Sequence, residues 1–321
     1  TSSVGPGATN MITAAGVAMS NRIPILFLPG DTYANRMPDP VLQQVEHFNN
    51  PGITANDAFK PVTRYFDRIT RPEQIIQSFP AAIQTMLDPA DCGPACIALC
   101  QDIQGQTFDY PEEFFKEKVH TIRRPRPDEF QIKEAAEKIK SSKNPIIISG
   151  GGVFYSNAME DLSSFATKHN IPVTQTVMGY STMKRDHSHY AGQIGGLGGK
   201  NTNTLAKQTD LAIAVGTKLA DFTTGSWANF ENENFKLVSI NVSRFDANKH
   251  LAQAVIGDAK VSLNELSLAL GDWKAGEEWN KKSQIELKAW NEEVDKASAP
   301  SKQEIPSYVQ VIGAVYKNSD P

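Results

Sequence analysis

Several clusters have residue types and spacings that could do chemistry. Gly150-Gly151-Gly152 follows an apolar run and opens a helical pattern. A glycine turn there could lay backbone N–H groups against a phosphate at a helix N-terminus. It is not a G-x-G-x-x-G fingerprint, since Tyr155 stands at the third glycine, and the same turn also serves close packing of strand on helix. Gly195-Gly196-Leu197-Gly198-Gly199-Lys200 ends like a phosphate-binding loop. Ile194 replaces its first glycine and Asn201 its Ser/Thr, so nucleoside triphosphate hydrolysis is not expected. Asp186, His187 and His189 could begin a metal site, but no third protein ligand of the usual type is evident, and a surface loop is the reading here. Cys92, Cys96 and Cys100 could share a helical face as metal ligands. Gly93-Pro94 breaks such a helix, which leaves a short apolar strand with inert thiols and a reducing cytoplasm as the setting. No metal site is assigned, and no Ser/His/Asp order or G-x-S-x-G elbow is present.

The elements that must carry these residues alternate between helix and strand. The pattern predicts a helix over 10–21, a buried strand over 23–28 and a Pro-rich loop over 29–40. A strand is expected within 61–69, and a helix reaches about Leu87, capped by Thr70 with Glu73 closing an S/T-x-x-E box. A strand over 95–99 follows. Residues 105–127 read as linker, with a short helix near 110–118 and a solvated basic tether, Arg123-Arg124-Pro125-Arg126-Pro127. A second α/β unit has a helix over 129–142, strands at 145–149, 172–176, 211–215 and 237–242, and a helix over 157–169. Strand, glycine turn and helix in repetition imply a parallel sheet with right-handed crossovers. Trp273, Trp279 and Trp290 lie in a long helical stretch, 298–306 reads as linker, and a helix starts at Ser307. The 321 residues suffice for two domains and a remainder. A net charge of −4 gives no reason to expect nucleic acid, and no apolar run is long enough for a membrane span.

The opening Thr-Ser-Ser-Val-Gly-Pro-Gly-Ala-Thr-Asn (1–10) followed by Ile23–Gly30 resembles the pyrimidine-binding domain of thiamine diphosphate enzymes of the acetolactate synthase type. Asp57-Ala58-Phe59 with Pro61–Arg64, and Gly93-Pro94-Ala95 into Gln101, are similar to later segments of that domain. Pro145–Gly152, Ile171–Val173, Met178-Gly179 and Asp210–Gly216 track the family's central domain. The resemblance covers nearly the whole chain. It implies an α/β fold with four parts: the C-terminal part of the pyrimidine domain (1–110), a linker (111–127), a Rossmann-like (DHS-like) central domain (128–270), and a helical linker (271–321) leading to a diphosphate-binding domain. On this reading the chain is an internal piece of a longer enzyme.

Within that family the likeness is nearest to members that hydrolyse a C–C bond of a cyclic 1,2-diketone in inositol breakdown. The resemblance implies thiamine diphosphate and Mg²⁺ as cofactors, a small-molecule substrate, a cytoplasmic homo-oligomer, and neither nucleic acid nor membrane as partner. Gly5, Pro6, Gly7 and Asn10 are the implied cofactor-binding residues on the pyrimidine side, and Asp57 and Phe59 lie on the substrate side. The family's base glutamate precedes the Gly-Pro-Gly turn, so no catalytic residue is assigned here. Its metal motif, G-D-G…N, has no counterpart, since Gly257-Asp258-Ala259 is not one. The segment Gly216–Phe222 lacks the arginine of flavin-binding members, so flavin is not expected. Two alternatives stay open: a 2-oxo acid lyase or transferase of the acetolactate synthase type, and a nucleotide-binding regulatory module without thiamine chemistry.

Overall fold

The computed structural model describes residues 1–301 and 305–319 and divides them into two compact units, Thr1–Arg123 and Arg124–Pro321. In the first unit the elements are α1 (Pro6–Thr9), α2 (Ile12–Asn21), β1 (Leu26–Phe27), β2 (Gly30–Asp31), β3 (Tyr65–Ile69), α3 (Ile75–Leu87) and β4 (Ala95–Cys100). β1 and β2 pair in succession with one side of β4, and β3 pairs with the other, all parallel. Ser2 adds a parallel bridge to Pro29. The strand expected over 23–28 is thus two short pieces separated at Leu28-Pro29, where the prolyl nitrogen has no N–H to give a ladder. β4 is central and almost wholly buried, which its run of small and apolar residues permits.

Three local expectations are corrected here. The helix expected from Asn10 is preceded by a separate turn of helix, α1, set by Pro6 at its first position. The box predicted between Thr70 and Glu73 does not form. A 3₁₀ turn (Pro72–Gln74) precedes α3, and the Gln74 side-chain carbonyl accepts from the N–H groups of Thr70 (2.7 Å) and Arg71 (2.9 Å). Glu73 pairs instead with Arg71. The helix expected near 110–118 shrinks to a 3₁₀ turn, Glu112–Phe115.

The second unit contains α4 (Glu129–Lys140), β5 (Pro145–Ser149), α5 (Gly151–Tyr155), α6 (Met159–His169), β6 (Val173–Gln175), β7 (Tyr190–Gln193), α7 (Lys200–Gln208), β8 (Leu211–Val215), α8 (Asp221–Thr224), β9 (Lys236–Asn241), α9 (Arg244–Ala247), β10 (Gln253–Ile256), α10 (Ala259–Leu270), α11 (Glu277–Ser298) and α12 (Tyr308–Asn318). Its six strands are all parallel in the order β10-β9-β8-β5-β6-β7. This is a doubly wound sheet whose order reverses between β5 and β8. Ile146, Ile147 and Ile148 and the whole of β8 are buried, as strands covered on both faces must be. α11 packs on α7, and the Trp279 indole N–H donates to the Pro145 carbonyl (2.8 Å). Of the stretch read as linker at 298–306, residues 302–304 lie outside the described residues, as do Asp320 and Pro321.

The basic tether runs over the second unit. The Arg124 guanidinium donates to the Asp258 carboxylate (2.9 Å) and the Ser156 carbonyl, and Arg126 pairs with Glu265. Asp258 caps α10 and donates its own N–H to the Pro125 carbonyl. Residues 124–126 are therefore hydrogen-bonded along the surface of the second unit, with Arg124 and Arg126 still exposed.

Candidate functional site

In open parallel sheets, ligands meet the carboxyl ends of the strands. In the first unit a cavity of about 650 Å³ lies there. Its walls come from the segment before α1 (Ser2, Ser3, Val4), the ends of the strands (Gly30, Asp31, Leu99), the residues after β4 (Gln101, Gln104) and the loop 38–43. Asp31 is the charged side chain in this lining, and it is fully buried. Its carboxylate accepts from Arg68 Nε (2.7 Å) and from the Thr32 N–H (2.8 Å).

Arg68 links Asp31 to Asp57. Its other nitrogen donates to Asp57 (3.0 Å) and to the Thr54 hydroxyl (2.9 Å). Asp57 closes a capping box, accepting from the Thr54 N–H (2.7 Å), and meets Lys60 on its exposed side (2.7 Å). Burial works against the Asp57 charge, but the hydrogen bonds from Lys60 and Thr54 and the Arg68 charge outweigh it and bring its pKa below the usual carboxylate value. Burial likewise opposes the Arg68 charge, and the bonds and charges of Asp31 and Asp57 raise its pKa all the same. Behind Gly30, the fully buried Asn56 donates to the Gly30 carbonyl (2.9 Å), and its Oδ1 has no partner among the described residues.

The residues expected on the pyrimidine side form one turn. Gly5 has φ +70°, and a Cβ there would lie 1.8 Å from the Gln43 carbonyl oxygen, so only glycine fits. A Cβ on Gly7 would meet Ser3 Oγ at 2.7 Å. Pro6 and Asn10 are exposed. None of the four lines the cavity, whose wall ends at Val4. Phe59 is fully buried and packs on Phe27 with ring centroids 5.5 Å apart. Asp57 and Phe59 thus share one 3₁₀ helix (Ala55–Val62), the former facing Arg68 and the latter the core. Asp31 and Arg68 were not singled out from sequence, because a carboxylate and a guanidinium 37 residues apart carry no local signal.

In the second unit the switch point between β5 and β8 is filled by the chain itself. The Gly152 N–H donates to the Gly216 carbonyl and the Gly150 N–H to the Val215 carbonyl, both at 2.9 Å. A Cβ on Gly152 would lie 2.6 Å from Gly216 Cα, and one on Gly150 would lie 2.5 Å from the Gly216 oxygen. The glycines let two backbones touch, and their amides are spent on protein carbonyls. Cys96 and Cys100 are buried in β4, with thiols pushed up to about 12 chiefly by burial. His189 is buried and faces the Asn170 side-chain oxygen (3.1 Å). No His/Cys/Asp/Glu group among the described residues could hold a metal ion.

Residues 132–266 match the family model described as thiamine pyrophosphate enzyme, central domain. This part of the chain is similar to the thiamine pyrophosphate enzymes. It is 48% identical over 293 residues to a Clostridium perfringens protein named 3D-(3,5/4)-trihydroxycyclohexane-1,2-dione hydrolase, covering 91% of this chain and 46% of that one. Proteins of the same name from Clostridium tetani (50% over 267 residues, 83% and 42% covered) and Geobacillus thermodenitrificans (45% over 298 residues, 92% and 46%) are also similar. The chain spans about half the length of these curated relatives. No described helix is long and apolar enough to cross a membrane.

Proposed function

We propose that this chain serves a thiamine diphosphate-dependent hydrolase that opens a cyclic 1,2-diketone, a trihydroxycyclohexane-1,2-dione, in inositol breakdown. The observation that carries this is the 48% identity to a hydrolase named for that substrate, running through both units of the fold. Residues 1–110 would be the C-terminal part of the pyrimidine domain, 111–127 the linker, 128–270 the central domain and 271–321 the lead into the diphosphate domain. A cytoplasmic homo-oligomer, a small-molecule substrate and Mg²⁺ belong to the same proposal.

On this reading the first unit would meet the cofactor's pyrimidine ring. Gly5 and Gly7 let the turn close against Gln43 and Ser3, and Pro6 and Asn10 are exposed beside it. Gly5, Pro6, Gly7 and Asn10 would hold that ring. Asp57 and Phe59 would act on the substrate side from behind the wall, Asp57 through Arg68 and Phe59 by packing. When bound, thiamine diphosphate supplies a carbon nucleophile and an electron sink for cleavage next to a carbonyl. The chain's own residues keep the cavity shaped and its carboxylate oriented. The diphosphate and Mg²⁺ are not assigned to residues here, because the sequence has no Gly-Asp-Gly.

The test is turnover by a protein carrying this chain at its relatives' full length. Consumption of the dione that requires both thiamine diphosphate and Mg²⁺ is expected. Thiamine-independent consumption, or turnover of pyruvate in preference to the dione, would overturn the proposal.

A further inference from the structure

One wall of the cavity in the first unit is a long loop. Residues 32–54 carry neither helix nor strand between β2 and the 3₁₀ helix Ala55–Val62. Loops beyond about 12–15 residues with no structure of their own are commonly binding loops or lids. The neck of this one is closed by charge. Arg68 donates through Nε to Asp31 (2.7 Å), just before the loop. Its other nitrogen donates to the Thr54 hydroxyl (2.9 Å) and to Asp57 (3.0 Å), at the far end. The Asp102 carboxylate then accepts from the N–H groups of Ala34 (2.8 Å) and Asn35 (3.2 Å).

Beyond these anchors the loop is held by itself. Among the described residues, the hydrogen bonds of 36–53 close within the loop and join residues at most three apart, as from Gln44 to Val41 and from Ile53 to Asn50. Its inner side, Pro38 and Pro40 to Gln43, forms the cavity wall. Leu42 lies in that wall and is still 87% exposed, and Met37 and Phe48 are 90% and 94% exposed. Apolar side chains left in water at the mouth of a cavity gain free energy by moving in to cover it. Arg36, left-handed at φ +57°, and Gly52 lie just inside the two anchors, where a small change of dihedral swings everything between them.

We infer that residues 36–53 are a lid, open in this structure, which turns at Arg36 and Gly52 and brings Leu42 down onto the cavity while Arg68 and Asp102 keep its neck fixed. Closure shuts bulk water out of the cavity. It needs no particular ligand, so the lid and the proposed function can fail separately.

The test is pulsed electron spin resonance on the whole 321-residue chain, with Cys92→Ser removing the half-buried thiol, since Cys96 and Cys100 are buried. Spin labels at Phe48→Cys and Gln104→Cys, both exposed, report the lid against the opposite wall. Labels at Thr13→Cys, exposed on α2, and Gln104→Cys give a fixed reference in the same unit. The reference should give one narrow distance and the lid pair two, the shorter being the closed state. Leu42→Ser should lower the closed-to-open ratio about tenfold, the equilibrium worth of burying much of a leucine side chain.

A single lid distance as narrow as the reference would overturn the inference, as would a ratio that Leu42→Ser leaves unchanged. Coupling between labels in singly labelled Phe48→Cys would overturn it too, because the apolar tip would then lie against a second copy of the chain. Two lid distances without thiamine-dependent turnover of the dione keep the lid and remove the proposed function. Dione turnover with one fixed lid distance does the reverse.

Discussion

At the scale of single residues, glycine does two different jobs in this chain. Gly152 lies where a Cβ would sit 2.6 Å from a backbone atom of Gly216, so neither partner can yield without moving a strand end. Gly16 lies in the middle of α2 with nothing within 4 Å of its virtual Cβ. Gly152→Ala should therefore destabilise the second unit by about 1–3 kcal/mol, as overpacked cores do. Gly16→Ala should stabilise the first unit by about 0.5–1 kcal/mol, because alanine loses less backbone entropy in a helix. Urea midpoints of the two variants against the parent check both signs. The triple glycine was legible in sequence as a turn at a strand end. Its reason was not, because Gly216 is 64 residues away from Gly152 and only the sheet order brings them together.

At the scale of elements, two buried histidines tie the end of α6 to its neighbours. His169 meets the Trp273 carbonyl through Nδ1 (2.8 Å) and the Ser267 hydroxyl through Nε2 (2.9 Å). Asn170 holds the Ala275 carbonyl and meets His189. Burial, the largest cause, with the charges of Lys168 and Lys274 lowers the His169 pKa despite its bond to Trp273, and burial with His187 lowers that of His189. Both are therefore neutral in the fold and take up protons more readily when unfolded. Their contribution is complete above the ordinary histidine value of 6.5 and is lost as pH falls below it. Thermal melts should shift down as pH falls below 6.5, and His169→Gln should flatten that slope. An unchanged slope would place the titration elsewhere.

The strands with strong apolar runs, 95–99, 145–149 and 211–215, were readable from sequence because burial on both faces leaves an unbroken signal. β7 (Tyr190–Gln193) and β10 (Gln253–Ile256) were not, since four residues including glutamine and glycine give no period. The Gln74 cap was missed because a 3₁₀ turn moved the helix start past the box that Thr70 and Glu73 would make.

At the scale of the whole molecule, the α/β class, the parallel sheet of the second unit with four of its six strands, and the likeness to thiamine diphosphate enzymes were within reach of the sequence, because ordered motifs recur over most of the chain. The cavity of the first unit was not. Its wall joins residues 1–4, 28–43 and 99–104, and its charge balance depends on Arg68 from a fourth segment.

The measurement that tests the central claim most directly is mass spectrometry of the product. A protein carrying this chain at full length, with thiamine diphosphate and Mg²⁺, would be given the trihydroxycyclohexane-1,2-dione. The account predicts one ring-opened acid that keeps every ring carbon and has the mass of the dione plus one water. Release of carbon dioxide, or a product enlarged by an added acyl group, would contradict it.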